Sequence, residues 1–424
     1  MKRFFRSVVI CLPAFLAMYL ISCGRVPSQR ERDMAVYPGG LSGVPRVRVL
    51  ISQNLPDVQL SVDGPYSISA QPADPQSPQI GSGDKPVTVR VSPLAKGLKL
   101  GAAEVTYSAV TVSPVGSTRL TVADTPFDGP VTFIRSVRDV NGKPVLGVNL
   151  VVSMNIEEYL AGVVPSEMPA NWPTQALKAQ CVAARTYALY KIQTRADQLF
   201  DVTSTQASQV WKPQNRHNAA INAVVNETRG VVMTDNYRLF PAYFSRQCGG
   251  ITKNGAGVFI SRHINPLSEV KCPYCQGKPG AEQWEYRVSL DSLAQKLKTN
   301  GYKDMGTISS ITGLDENGRA VDGIERVYDV QVQHSGPSRT ALIPAMNFRR
   351  IIGGGQKEMA STFFSTATEG GMVVFRGRGH GHGVGMCQYG AAQLAGDGKT
   401  YQEILRWYYP QCLLVRIWEG AALK

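Results

Sequence analysis

The sequence predicts an α+β protein in which a β-rich N-terminal portion leads into a helix-containing region. Three observations carry this expectation. Short apolar alternations separated by Gly, Pro and Asp turns recur between residues 46 and 122. Capped stretches with helical spacing then fill residues 155 to 194. The 41 Gly and 26 Pro are scattered without a three-residue period, which excludes collagen and marks a loop-rich chain. At 424 residues the chain is too long for one ordinary core, so more than one domain is expected.

The elements follow in order. Lys2, Arg3 and Arg6 precede an apolar stretch from Val8 to Ile21, and Leu20-Ile21-Ser22-Cys23 closes it. The stretch is short for a bilayer and holds Pro13, so residues 1–22 read as a lipoprotein signal peptide with Cys23 as the lipidated residue. The competing reading is a plain signal peptide with an incidental cysteine. Residues 23–45, polar and rich in Gly and Pro, read as a flexible tether.

From Arg46 the alternation of Val47, Val49 and Ile51 begins a strand, and the pattern repeats through Val58 to Val62 and Leu120 to Val122. Residues 46–150 are therefore expected to form a β-rich domain, with Pro72 to Pro78 as a loop inside it. In residues 151–424, Asn155 is a plausible N-cap with Glu157 and Glu158 in the first turn, and that helix is expected to stop before Pro165. A second helix should start after Pro173 and run to about Thr194. Strands follow at Gly230 to Met233, Phe240 to Phe244, Tyr328 to Val332 and Met372 to Phe375, with helices at Leu290 to Lys298 and Tyr401 to Trp407. No repeat of fixed period is present.

A net charge of +13 calls for an anionic partner. No run of four basic residues and no nucleic-acid motif occurs, so nucleic acid is not an expected partner. A membrane surface or an acidic polymer fits better.

Glu167 lies in Val163-Val164-Pro165-Ser166-Glu167-Met168-Pro169, bracketed by prolines that fix the backbone. A carboxyl presented this rigidly suits acid or base work, while the plainer reading is a capping or salt-bridged glutamate. Arg185 sits beside a stripe of small residues and needs an anionic or polar partner. Asp201 is a second acid, read as a turn or capping residue. The segment from Gly377 to Gly390 alternates glycines with His380 and His382, two of the five histidines, and ends in Gln388-Tyr389. Glycine permits close approach of backbone to ligand, and histidine can bond sugar hydroxyls, move protons or bind metal, so the segment reads as a binding-cleft loop. Cys248, Cys272 and Cys275 offer either a zinc site, with His263 as the nearest fourth ligand, or a disulfide suited to an exported protein. Cys181 and Cys387 read as small buried hydrophobes.

These blocks, together with Leu60-Ser61-Val62-Asp63-Gly64-Pro65-Tyr66, Ala176 to Ala188, Ser208-Gln209-Val210-Trp211 and Cys248-Gly249-Gly250, closely resemble the SpoIID/LytB family over most of residues 46–418. The resemblance implies peptidoglycan as substrate class. Sporulation members of that family are lytic transglycosylases acting on glycan strands stripped of stem peptides, and others are described as enhancers of an N-acetylmuramoyl-L-alanine amidase. By resemblance Glu167 matches the catalytic glutamate, and Arg185, His382, Gln388 and Tyr389 match positions around the cleft. His380 stands where many relatives are aromatic.

A lytic transglycosylase needs one carboxyl group and no cofactor, because the substrate's own C6 hydroxyl closes the product ring. The expectation is thus a lipoprotein of the cell envelope, anchored on the outer side of the cytoplasmic membrane or in the periplasm or outer membrane. Its expected action is to cut peptidoglycan glycan strands, leaving 1,6-anhydro-muramic ends. Glu167 would be catalytic, Arg185, His380, His382, Gln388 and Tyr389 substrate-binding, and a structural zinc is one of two readings of the cysteines. The alternative from another class is a non-catalytic wall-binding modifier that enhances an amidase, in which Glu167 is only structural.

Overall fold

The computed structural model describes residues 43–70, 78–140, 142–213, 215, 218–256, 258–259, 263–277, 283–353 and 358–419. The signal peptide, Cys23, nearly all of the tether and most of the Pro72 to Pro78 loop lie outside the described residues. What is described is α+β with a β-rich N-terminal portion.

That portion is built on two sheets. The first orders its strands Val202–Thr203, Arg46–Leu55, Lys143–Asn155, Val131–Val140, Ala109–Pro114, Tyr66–Ala70 and Gln79–Gly83. The second runs Thr125–Phe127, Leu120–Val122, Val58–Val62, Val87–Pro93, Leu98–Leu100 and Ala103–Val105. Alternating Val and Leu side chains of both sheets meet in one core. Position 150, the expected end of the β-rich part, lies within the strand Lys143–Asn155, which pairs with Arg46–Leu55 and passes directly into the first helix. The strands and the helices after them share that core, which extends from Val47 to Trp418.

Helix α1 spans Ile156–Glu167, with the Asn155 side chain accepting from Glu157 N–H at 2.8 Å. Contrary to expectation it continues past Pro165. The proline removes one donor, but Ser166 Oγ donates to Gly162 O at 2.7 Å and Met168 N–H to Val164 O at 2.9 Å, so the last turn closes. That extra turn carries Glu167 on the helix end. Helix α2 spans Thr174–Thr194 and is mostly buried, its alanines admitting close neighbours. These include α3, Ala219–Glu227, which the sequence reading did not find.

A second hydrophobic core lies between residues 284 and 377. It joins a four-stranded and a three-stranded sheet to α4, Leu290–Thr299, and α5, Ala345–Ile352. The chain then returns to the first core. The expected strand Phe240 to Phe244 is reduced to Phe244–Ser245, paired in parallel with Met386–Cys387. The presumed loop ends early, because α6 starts at Gln388 and runs to Gly396. Helix α7, Tyr401–Tyr408, opens on a capping box of Thr400 and Glu403. No described helix is long and apolar enough to cross a membrane.

Candidate active site

Glu167 is held from two directions. Val210 N–H donates to its Oε1 at 2.7 Å, and the nearby Gln388 side chain acts with that bond to favour the ionised carboxylate. Gln388 Nε2 also reaches Gln180 Oε1 on α2, at 3.4 Å. The segment bearing Val210 is itself fixed: Tyr159 O–H donates to Gln209 Oε1 at 3.0 Å, and Gln209 Nε2 donates to Ala184 O at 3.3 Å. Next to it Trp211 lies on α1 over Gly162, where a Cβ would stand 2.5 Å from the indole Nε1. Burial raises the Glu167 pKa above the ordinary carboxylate value, and the Val210 and Gln388 hydrogen bonds only partly offset this. A half-buried carboxyl that keeps its proton to higher pH is equipped to act as a general acid.

Two rows of aromatic contacts start from residues packed in the same core as α1 and α2. On one, Trp172 meets Tyr389 edge to face at 5.0 Å, and the Arg246 guanidinium lies 5.7 Å from the Tyr389 ring centre. On the other, Tyr187, Tyr243, Phe259 and His382 follow one another at 5.9, 4.5 and 5.0 Å between ring centres. Tyr187 is bonded to Ser208, two residues before Val210. Phe259 is 39% exposed, so this row opens to solvent before it reaches His382. Such surfaces suit the apolar faces of sugar rings.

His380 and His382 lie on the glycine-rich loop that leads into α6, and His382 closes the second aromatic row. His380 backbone pairs with Gln247, and burial with the charges of Arg246 and Arg349 lowers its imidazole pKa to about 4. His382 Nδ1 accepts from Val384 N–H at 3.0 Å, and burial lowers its pKa to about 3 against the opposing hydrogen bond to Phe244. Both rings are therefore neutral near pH 7 and offer hydrogen bonds rather than charge.

Arg185, expected on the cleft, is not there. It is fully buried and bound to Glu157 at 2.7 Å, with Nη1 donating to Val231 O at 3.1 Å. Glu157 Oε1 takes further bonds from Gly230 N–H and Trp418 Nε1–H, so this is a structural ion pair. Asp201 is 1% exposed and bound to Arg48 at 2.6 Å, which fastens Val202–Thr203 to Arg46–Leu55. It is a buried ion-pair partner rather than a turn residue.

The cysteines also need correction. Cys387 is not an isolated buried hydrophobe: its sulfur lies with those of Cys248, Cys272 and Cys275, all four within 4.8 Å of one another. His263 is exposed and stands apart from this group. A zinc ion bound tetrahedrally at about 2.3 Å by four sulfurs separates them by about 3.8 Å. The spacing of the four, with Cys248 and Cys275 at 3.6 Å, fits that size. The residues missed in the sequence were Trp172, Gln180, Arg246, Phe259 and Cys387. Of these only Cys387 carried a signal, the even number of cysteines left after Cys11 and Cys23.

A profile of the family described as Stage II sporulation protein matches residues 146–235, which contain Glu167 and Val210. An uncharacterized protein of Brachyspira hyodysenteriae is 33% identical over 261 residues, covering 61% of this chain and 66% of the relative. The amidase enhancer of Bacillus subtilis is 29% identical over 295 residues, 59% of this chain and 39% of its own length. Stage II sporulation protein D of the same organism is 28% identical over 343 residues, 76% of this chain and 89% of the relative. By these matches the chain belongs to the SpoIID/LytB family.

Proposed function

We propose that this protein cuts the glycan strands of peptidoglycan as a lytic transglycosylase, with Glu167 as its acid and base. The observation that carries the reading is the Glu167 carboxyl: half-buried, with its pKa raised by that burial, and fixed by the Val210 N–H bond at 2.7 Å. The other two acids considered are committed elsewhere, Glu157 to Arg185 and Asp201 to Arg48.

In the first step the Glu167 proton passes to the glycosidic oxygen as the bond to the muramic C1 breaks. The carboxylate then takes the proton of the C6 hydroxyl, whose oxygen bonds to C1 and closes the 1,6-anhydro ring. Glu167 ends protonated as it began. The hydroxyl is already tethered to the electrophile, so no second carboxylate has to activate water. No cofactor enters these steps. Digestion of purified peptide-free glycan strands, followed by mass analysis for anhydro ends, tests the reading.

The relative named amidase enhancer favours a second reading, in which the same groove binds the wall and stimulates an amidase. A protein that leaves glycan uncut but accelerates an added amidase would replace the first reading with this one. In either case we place the protein in the cell envelope, held through lipid on Cys23, because Leu20-Ile21-Ser22-Cys23 ends a short apolar leader.

A further inference from the structure

We propose that Arg246 binds a carboxylate carried by the glycan strand, with His380 as a hydrogen-bonding neighbour, so that the site reads an acidic group on the sugar as well as the sugar itself. The inference rests on the reading of Glu167 as the carboxyl that faces glycan. It adds the charge that the ligand must bring.

Arg246 follows directly on the strand Phe244–Ser245, which pairs with Met386–Cys387 at the start of α6. Tyr389 N–H donates to Arg246 O at 3.2 Å, and the guanidinium lies 5.7 Å from the centre of the Tyr389 ring. A cation laid against a ring is held in place while its N–H edge stays free for a ligand. The same ring is tied to the end of α1 that bears the acid. Tyr389 meets Trp172 at 5.0 Å, and Trp172 N–H donates to Pro169 O at 2.9 Å, closing a turn that begins two residues after Glu167.

Nothing in the protein neutralises this cation. Arg246 is half-buried, and its side chain has neither a hydrogen bond nor an ion pair among the described residues; its contact is the Tyr389 ring. His380 is also half-buried, and its ring nitrogens have no hydrogen-bond partner among the described residues. Burial, then the charges of Arg246 and Arg349, lowers the His380 pKa, and no acid acts on the ring. A contact with Tyr389 alone accounts for the place of the guanidinium but leaves its charge and its donors unmatched. Half-buried donors without partners, among charges of one sign, make a place for an anion.

The glycine-rich loop leaves that place open. His380 and Gln247 exchange both backbone bonds, at 2.8 and 3.1 Å, which sets Gly381 opposite Arg246. Gly381 has a φ of +99°, and a Cβ there would stand 3.1 Å from Ser245 Cβ. The loop therefore lies close on the strand without adding a side chain beside Arg246.

The ligand follows from the chemistry. A guanidinium offers parallel N–H groups that match the two oxygens of a carboxylate. On a peptidoglycan strand that group is the lactyl carboxylate on C3 of the muramic ring, or a carboxylate of the stem peptide attached there. Both are carried by the ring whose C1 is released when Glu167 acts as acid.

The test measures binding to the full chain carrying Glu167→Gln, so that no fragment is cut. The probes are tetrasaccharides: the muramic fragment with free lactyl carboxylates, the same fragment capped as methylamides, the fragment bearing stem peptides, and a chitin fragment without carboxylate. A carboxylate-bearing fragment should bind at least about tenfold more tightly than the capped and chitin fragments, and whether the free or the peptide-bearing one shows the preference names its source. Arg246→Gln should bring that fragment down to the affinity of the capped one, and Arg246→Lys should keep part of the preference. Should Arg246→Gln fail to fold, salt decides: raising it should weaken the preferred fragment and spare the capped one. Equal binding of charged and capped fragments, or a preference that survives Arg246→Gln, overturns the proposal. Wild-type protein that shows the preference but leaves glycan strands uncut would sink the transglycosylase reading alone, and anhydro ends formed without any preference would sink this proposal alone.

Discussion

Arg185 and Glu157 form an ion pair without solvent contact, Nη2 to Oε2 at 2.7 Å, between the middle of α2 and the first turn of α1. The pair also ties in Val231, Gly230 and Trp418, so it joins two helices, a strand and the C-terminal segment. The arginine also donates to Cys181 Sγ at 3.4 Å and Thr228 Oγ1 at 3.5 Å, so both charges are satisfied inside the protein. That geometry makes the arginine a fastener of the frame behind Glu167.

Removing one partner leaves a buried charge unpaired. Arg185→Ala should destabilise the fold by about 3–5 kcal/mol. Replacing both residues, Arg185→Met with Glu157→Gln, should cost less than the single change. Denaturant melts of the three proteins check this. Glycan affinity of any variant that still folds should stay near that of the wild type, and a selective loss of affinity would return Arg185 to the cleft.

The sequence exposed the elements whose signals are local. Asn155 was readable as a cap because its side chain bonds two residues on, and the strand beginning at Arg46 because its alternation matches a half-buried sheet. Glu167 was readable from its prolines, although Pro165 sits inside the helix. What stayed hidden depends on distant pairing. Gln388 was legible only as part of a motif, since its partners Glu167 and Gln180 are more than two hundred residues away. Arg185 looked like a ligand because nothing in sequence shows that Glu157, 28 residues earlier, turns back to meet it. Cys387 was misjudged for the same reason: Cys248 lies 139 residues before it.

Lys253 offers a pH signature. It is 1% exposed, donates to Val327 O at 2.8 Å and sits 3.8 Å from the Tyr328 ring centre. Burial, then the charge of Arg326, lowers its pKa to about 7 from 10.5. The unfolded chain therefore binds this proton more readily, and stability attributable to Lys253 rises with pH between about 7 and 10.5. Lys253→Met should be more stable than the wild type at pH 7 and below, with the advantage fading toward pH 10.5. Urea midpoints across that range measure it, and a constant difference would mean that the lysine is not desolvated as its surroundings imply.

Anchoring has a simple test. Cys23→Ser should move the protein from the membrane fraction to the soluble fraction. Acyl chains contribute roughly 0.8 kcal/mol per buried methylene, and no described helix could replace them. Unchanged sedimentation with membranes after a high-salt wash would remove lipid from the account.

Trp172 and Tyr389 predict a graded effect on binding. Their edge-to-face contact at 5.0 Å joins the segment after α1 to the first turn of α6, and a sugar stacked on such a ring gains about 1 kcal/mol or more. Trp172→Ala should weaken binding of glycan fragments roughly tenfold, with a smaller effect on turnover at saturation. Calorimetric titration with short chains gives the affinity directly. An unaltered affinity would place the sugar elsewhere.

Glu167→Gln joins chemistry to stability in one variant. Glutamine keeps the size of the side chain and can still accept from Val210 N–H, but it can neither give the glycosidic oxygen a proton nor recover one. Formation of anhydro ends should fall by at least about a hundredfold, the usual contribution of a positioned acid. Stability should change in the opposite sense. Burial raises the folded-state pKa of Glu167, so the wild type is not penalised below the unfolded value and loses stability as pH rises through the folded one. The Gln variant escapes that loss. It should match the wild type near pH 4 and exceed it near pH 7, as read from paired denaturation curves. Glu167→Asp shortens the side chain by one methylene and should lose most activity too, because the carboxyl no longer reaches the oxygen. If the Gln variant kept full turnover, Glu167 would not be the acid. If it lost turnover without the pH-dependent gain, the carboxyl would be working with an ordinary pKa.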